Sequence, residues 1–230
     1  IETLGGYLTA EDFATYQARW VEPVAVAFGG YRVWELPPNG QGIAALEMLK
    51  ILEPVDLVAM GHNSADYLHH LIEAKKLAFA DLEEFVGDPD YMEKTPKELL
   101  EDRFVASRRS MINAARAVKR AQPGASLTTS DTTYLAVADN HGNMVSLINS
   151  LAGGFGSGVV VPGTGFALQN RAVGFTEKAG RANTAGPGRL PFHTIIPGFV
   201  TKTGDDGKQE PWLSFGIVGG AQQPQAHVQV

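Results

Sequence analysis

The sequence predicts an α+β protein, mostly helical over residues 1–131 and mostly stranded over residues 132–230. Two observations carry this reading. In the first stretch apolar residues recur mainly at helical spacing, as at Leu68, Leu71, Ile72, Leu77, Ala78 and Leu82. From Thr132 onward the period falls to two, and most of the 26 glycines lie beyond residue 140, punctuating short runs as turns do.

Each element has a local cause. Thr9 and Asp12 have capping-box spacing and start a short helix. Val24–Phe28 and Tyr31–Glu35 flank Gly29-Gly30, a two-residue hairpin signal. Pro37-Pro38-Asn39-Gly40-Gln41-Gly42 breaks the second strand and opens a helix from Ile43 to Leu52. A longer amphipathic helix follows from Ser64 to Val86. A third runs from Pro96 to Ala121, with Arg108, Arg109, Arg116, Lys119 and Arg120 suiting its C-terminal end. Residues 122–131 read as a turn-rich linker. Strands are expected over 133–139, 144–151, 165–169, 194–201 and 211–218.

Composition narrows the function classes. At 230 residues and 44% hydrophobic, the chain can bury one large core or two small ones. A net charge of −6 argues against a nucleic-acid partner and against a membrane surface. No apolar run approaches the roughly 18 residues of a membrane span. The absence of cysteine excludes disulfides and thiolate metal sites. Ile1 is preceded by no methionine and no basic leader, and the end at Val230 is equally abrupt. The chain therefore reads as a fragment whose N-terminus is missing, which leaves the compartment open between cytoplasm and periplasm.

The chemistry centres on Ser130-Asp131-Thr132-Thr133-Tyr134, where a polar segment runs into a threonine that opens a hairpin. That layout suits an enzyme that cuts its own chain between Asp131 and Thr132 and uses the new N-terminal threonine as nucleophile. A freed α-amine, with a reference pKa near ~8, can take the hydroxyl proton without any histidine. The plain alternative is a threonine placed by β-propensity, with Thr128-Thr129 as a rival pair. Ser150 taken alone is a cross-strand hydroxyl. Gly153-Gly154-Phe155-Gly156-Ser157-Gly158 fits neither a dinucleotide fingerprint nor a phosphate loop, and it lacks the lysine. His69 and His70 face different sides of a helix and cannot share a metal. His62 and His141 sit in turns. His193 on its own is either structural or a pocket residue, and Arg171 either a surface charge or a planar fork for a carboxylate.

The ordered set of motifs resembles the γ-glutamyltranspeptidase family of N-terminal-nucleophile hydrolases. Gly5-Gly6-Tyr7-Leu8-Thr9, Asp12-Phe13, Trp20-Val21-Glu22-Pro23 and the Pro37–Gly42 loop are similar to the late part of that family's large subunit. Thr132-Thr133, Gly142-Asn143, Val145-Ser146, Phe155-Gly156-Ser157-Gly158 and Gly219-Gly220 are similar to its small subunit.

The resemblance implies a four-layer αββα sandwich, here partial, and an autoprocessed amidohydrolase or acyltransferase that needs no cofactor and no metal. Thr132 holds the nucleophile's place, Ser150 that of a hydroxyl bonded to it, and Gly219 and Gly220 that of the oxyanion hole. It also implies that residues 1–131 end a large-subunit region and 132–230 begin a small-subunit one. The partners expected are an amide substrate and the remaining segments of the protein's own chain, with homo-oligomerisation left open. The substrate handles depart from the family pattern. Glutathione-cleaving members have asparagine at Ala152, glutamine at Arg171, an acid at Gly174 and a serine pair at His193-Thr194, and a further carboxylate-gripping arginine would lie before Ile1. The acyl-transfer machinery is thus retained while the γ-glutamyl handles are replaced. The alternative reading is a non-catalytic fragment, or an uncut homologue that binds without turnover.

Overall fold

The computed structural model of the chain describes residues 1–119 and 130–230. Thr9 caps α1 (Ala10–Thr15), where the Thr9 and Asp12 side chains accept from each other's backbone N–H. β1 (Val24–Phe28) and β2 (Tyr31–Glu35) form the expected hairpin, closed by the Phe28–Tyr31 pair. α2 (Gly42–Leu52) follows, then the single-turn α3 (Leu57–Met60) and the long α4 (Ala65–Phe85), whose start is capped by the Ser64 hydroxyl.

α2 packs against both α4 and the first hairpin, and nearly all of it is buried. From α4, Leu71, Ala74, Leu77, Ala78 and Leu82 join this core. Two residues expected with them, Leu68 and Ile72, stay 38% and 51% exposed. The buried stripe follows 71, 74, 77–78 and 81–82, so Ile72 lies off it and Leu68 at its margin.

The single helix expected over 96–121 is broken. It becomes α5 (Pro96–Leu99) and α6 (Asp102–Arg109), with turns beyond. Polar side chains capture the backbone that a longer helix would need. Asn113 Oδ1 accepts the Ala115 N–H at 2.9 Å, and buried Glu73 accepts the Val118 N–H at 2.9 Å. Arg109 turns away from its own helix to donate to the Lys50 and Ile51 carbonyls at the end of α2. The expected linker over 122–131, with Thr128-Thr129, lies outside the described residues as far as 129.

β3 (Ser130–Ala138) and β4 (Met144–Gly153) form a second hairpin, while β5 (Gly198–Thr203) and β6 (Gln209–Phe215) extend the first sheet to the order β1-β2-β5-β6. The two halves of the sequence thus share one sheet. No strand forms over 165–169, where the chain folds back with a single Val160–Ala167 bridge. β5 starts four residues later than expected, and 194–197 serve the candidate site instead. α7 (Gln223–Gln229) packs on α2.

Alternation along β6 separates the layers. Phe215 enters the core with α2, whereas Ser214 faces the β3–β4 hairpin and meets the Tyr134 hydroxyl at 2.9 Å. Ser146 in the hairpin donates to the Gly198 carbonyl at 2.9 Å. Helix, sheet and hairpin are therefore stacked in turn. On the hairpin, Leu135, Val137, Val145 and Leu147 are each about half exposed, an apolar side left open among the described residues.

Candidate active site

β3 runs unbroken through the Asp131–Thr132 bond, and its pairing with β4 slips there. Asp131 is opposite Ala152 and Thr132 opposite Ser150, so Leu151 has no partner and forms a bulge. The Thr132 hydroxyl donates to Ser150 Oγ at 3.3 Å, and Ser150 Oγ accepts the Ala152 N–H at 3.0 Å. Ala152 is buried at φ 74°, a conformation that asparagine takes far more readily than alanine. Alanine at this position therefore carries a local conformational cost.

Asn170 fastens the bulge from outside. Its Oδ1 accepts the Gly153 N–H at 2.9 Å, and its own N–H donates to the Leu151 carbonyl at 3.1 Å. The next residue, Arg171, extends Nη1 to the Thr194 hydroxyl at 3.0 Å. Its Nη2 is buried and has no hydrogen-bond partner among the described residues. Burial, the only cause resolved, pulls the Arg171 pKa downward. Beside it His193 is held to a pKa of about 4, first by burial and then by the Arg171 charge. The imidazole is therefore neutral at neutral pH, and Arg171 supplies the positive charge. No room exists between His193 and the Pro37–Gly42 loop. A Cβ on Gly40 would lie 2.6 Å from the imidazole Cε1.

Gly174 closes the short 3₁₀ turn that Arg171 begins, and it is exposed. Its carbonyl accepts from Asn183 Nδ2 at 2.7 Å, and an added Cβ would meet the Phe192 carbonyl at 3.2 Å. Gly219 and Gly220 have φ of 130° and 58° and open the 3₁₀ turn that leads into α7. A side chain at either would be strained, and first-turn N–H groups have no acceptor within a helix.

The site residues fall into two directly bonded groups, Thr132 with Ser150 and Arg171 with Thr194 and His193 beside it. Asn170 joins the first group to the second. Gly220 joins the second through Gln41, whose Nε2 donates both to its carbonyl (2.8 Å) and to that of Thr194 (2.6 Å). The Tyr134 ring, two residues from Thr132, packs where a Cβ of Gly216 would stand, three residues before Gly219.

Sequence reasoning missed Gln41 and Asn170 as individual residues, and it missed the Glu35–His227 pair. Glu35 Oε1 and His227 Nδ1 are 2.6 Å apart, both buried, tying the end of β2 to α7. Burial raises the Glu35 pKa against the lowering pull of His227. No periodic signal marks such residues, because each is polar in an otherwise ordinary element.

His193 makes the acid stability of the site testable. The unfolded chain takes up this proton around pH 6.5 and the folded chain only around 4, so stability falls as pH drops through that window. The expected loss from this group is up to roughly 3 kcal/mol. His193→Phe keeps a ring against Gly40 and removes the titration, so its denaturant midpoint should change less than wild type between pH 6.5 and 4. An identical fall in both proteins would exclude His193 as a source.

The pattern of the family described as Gamma-glutamyltranspeptidase matches residues 1–230. The chain is 35% identical over its whole length to the glutathione hydrolase-like YwrD proenzyme of Bacillus subtilis, of which it covers 42%. It is 34% identical to the glutathione hydrolase proenzyme of Escherichia coli, with 95% of this chain and 39% of that protein aligned. Among solved structures, cephalosporin acylase from Bacillus halodurans superposes with a TM-score of 0.84 at 46% identity, over 99% of this chain and 40% of that one. The chain thus spans about two fifths of the length of these relatives. With this likeness, the stacked helix, sheet and hairpin are part of the αββα sandwich of N-terminal-nucleophile hydrolases.

Proposed function

We propose, since the chain belongs to the gamma-glutamyltranspeptidase family, that it forms part of a self-processing amidohydrolase or acyltransferase selective for acyl groups that carry a carboxylate and no ammonium. The supporting observation is Arg171. Its Nη2 is buried and unpartnered among the described residues, the neighbouring His193 is neutral, and its side-chain bond goes to the uncharged Thr194 hydroxyl. Among the described residues this partly buried guanidinium has no carboxylate partner, and a substrate carboxylate would supply the missing counter-charge at Nη2. At Gly174, where an acid would be needed to hold an ammonium, there is no side chain at all.

In this reading Thr132 first attacks the carbonyl of Asp131, and the resulting ester is hydrolysed to free the threonine's α-amine. That amine then takes the Thr132 hydroxyl proton as Oγ1 attacks the substrate amide carbon. The N–H groups of Gly219 and Gly220 stabilise the oxyanion, a contribution of about 10²–10³ in rate per donor. The proton passes to the departing amine, and water or another amine releases the acyl group from the threonine ester. Ser150 keeps the Thr132 hydroxyl aligned. The remaining segments of the full-length chain complete the pocket and the layers around it.

The test is a side-by-side assay of the full-length protein on a γ-glutamyl anilide and its desamino analogue, glutaryl anilide. The analogue should be turned over at least about tenfold better in kcat/KM, because an unpaired ammonium in a partly buried site costs several kcal/mol. Equal or better turnover of the γ-glutamyl compound would overturn this assignment.

A further inference from the structure

We infer that Gln41 is a positioning residue that couples the carboxylate grip to the oxyanion loop. The inference deepens the proposed function, and it rests on that reading for the identity of both sites. Gln41 is fully buried and immediately precedes α2, the most enclosed helix of the core. Both hydrogens of its amide are spent on carbonyls distant in sequence, Thr194 at 2.6 Å and Gly220 at 2.8 Å. Thr194 receives Arg171, while Gly220 is the second glycine of the oxyanion loop. One planar amide beside the buried helix α2 therefore bridges the two loops, alongside a longer bond from the Ile196 N–H to Gln223 Oε1 at 3.4 Å.

The loop that presents Gln41 is itself held to the substrate-side segment. Asn39 Nδ2 donates to the Pro191 carbonyl at 2.6 Å, and the His193 N–H donates to the Asn39 carbonyl at 3.1 Å. Segment 191–194 thus has several ties to the Pro37–Gly42 loop, but Gly220 is reached from that loop by the Gln41 amide. Removing the amide leaves the Gly220 carbonyl bonded to the Gln223 N–H of its own turn but without a tie to the Pro37–Gly42 loop, and leaves segment 191–194 partly fixed. The consequence is specific: the oxyanion donors lose their register against a substrate still held by Arg171. The reaction should then lose kcat far more than it loses binding, because the oxyanion contact is made in the transition state.

The experiment uses the full-length protein with Gln41→Met, which keeps length and volume but has no donor. Gln41→Asn, which retains the amide one carbon short, serves as a milder variant should the first fold poorly. Two readouts are taken. Per active site, kcat on the glutaryl anilide should fall about 10- to 100-fold with KM changed less than about threefold, somewhat below the loss of a whole oxyanion donor. Hydrogen exchange should quicken in peptides covering 219–222, with β1 and β2 unchanged. Unaltered exchange at 219–222 in both variants overturns the coupling, as does a KM effect without a kcat effect. If wild type cleaves no amide, the proposed function fails, but the exchange pattern alone still decides for or against Gln41.

Discussion

Thr132→Ala in the full-length protein is expected to leave a single uncut polypeptide and to remove amide turnover by at least roughly 10⁴-fold. Loss of a nucleophile that acts as a unit with its base typically costs more than that. Here one substitution removes both the attacking oxygen and the cut that would free the amine. Thr132→Ser should restore cleavage and part of the rate, since the hydroxyl survives while the γ-methyl that restricts its rotamer is gone. The measurement is a denaturing gel followed by a steady-state assay. Cleavage of Thr132→Ala at the same bond would show that another group cuts the chain. The strand geometry makes the outcome informative. The Asp131–Thr132 bond lies inside a paired strand at a bulge, so the variant loses a hydroxyl and a methyl without losing the ladder on either side.

Arg171→Ala should raise KM for the carboxylate-bearing anilide by about 10- to 100-fold and leave kcat within about threefold. A hydrogen bond to a charged partner contributes on the order of 1.5–3 kcal/mol, which sets that range. The carboxylate is remote from the reacting carbonyl and is held equally before and during the reaction, so the loss belongs in KM. Arg171→Lys should recover only part of it, because an ammonium cannot replace a planar fork that keeps one arm on Thr194 and has a second to offer. An anilide lacking the carboxylate should be indifferent to either change. A fall in kcat on both substrates would instead place Arg171 in the chemistry itself.

How far the sequence reaches differs between elements for physical reasons. The first hairpin, α2, α4 and the α1 capping box depend on neighbours within a few residues, and their boundaries follow from Gly29-Gly30, Ser64 and Thr9. The third helix failed because polar side chains took its backbone groups, Asn113 from two residues away and Glu73 from 45 residues before Val118. Segment 194–197 has strand-like composition, yet the Thr194 carbonyl is claimed by Gln41 and Pro197 has no N–H to give. No local pattern encodes such competition.

The same division runs through the candidate site. The sequence by itself determined the α+β class, the strand that opens around Thr132 and the paired glycines at 219–220. These are matters of residue type and local period. Only the tertiary structure decided that Arg171 is partly buried beside a neutral histidine, that Asn170 clamps the bulge opposite Thr132, and that Gln41 spans 153 and 179 residues to hold two loops together. Burial and hydrogen-bond partnership are properties of pairs brought together by folding, and a side chain's charge state follows from them.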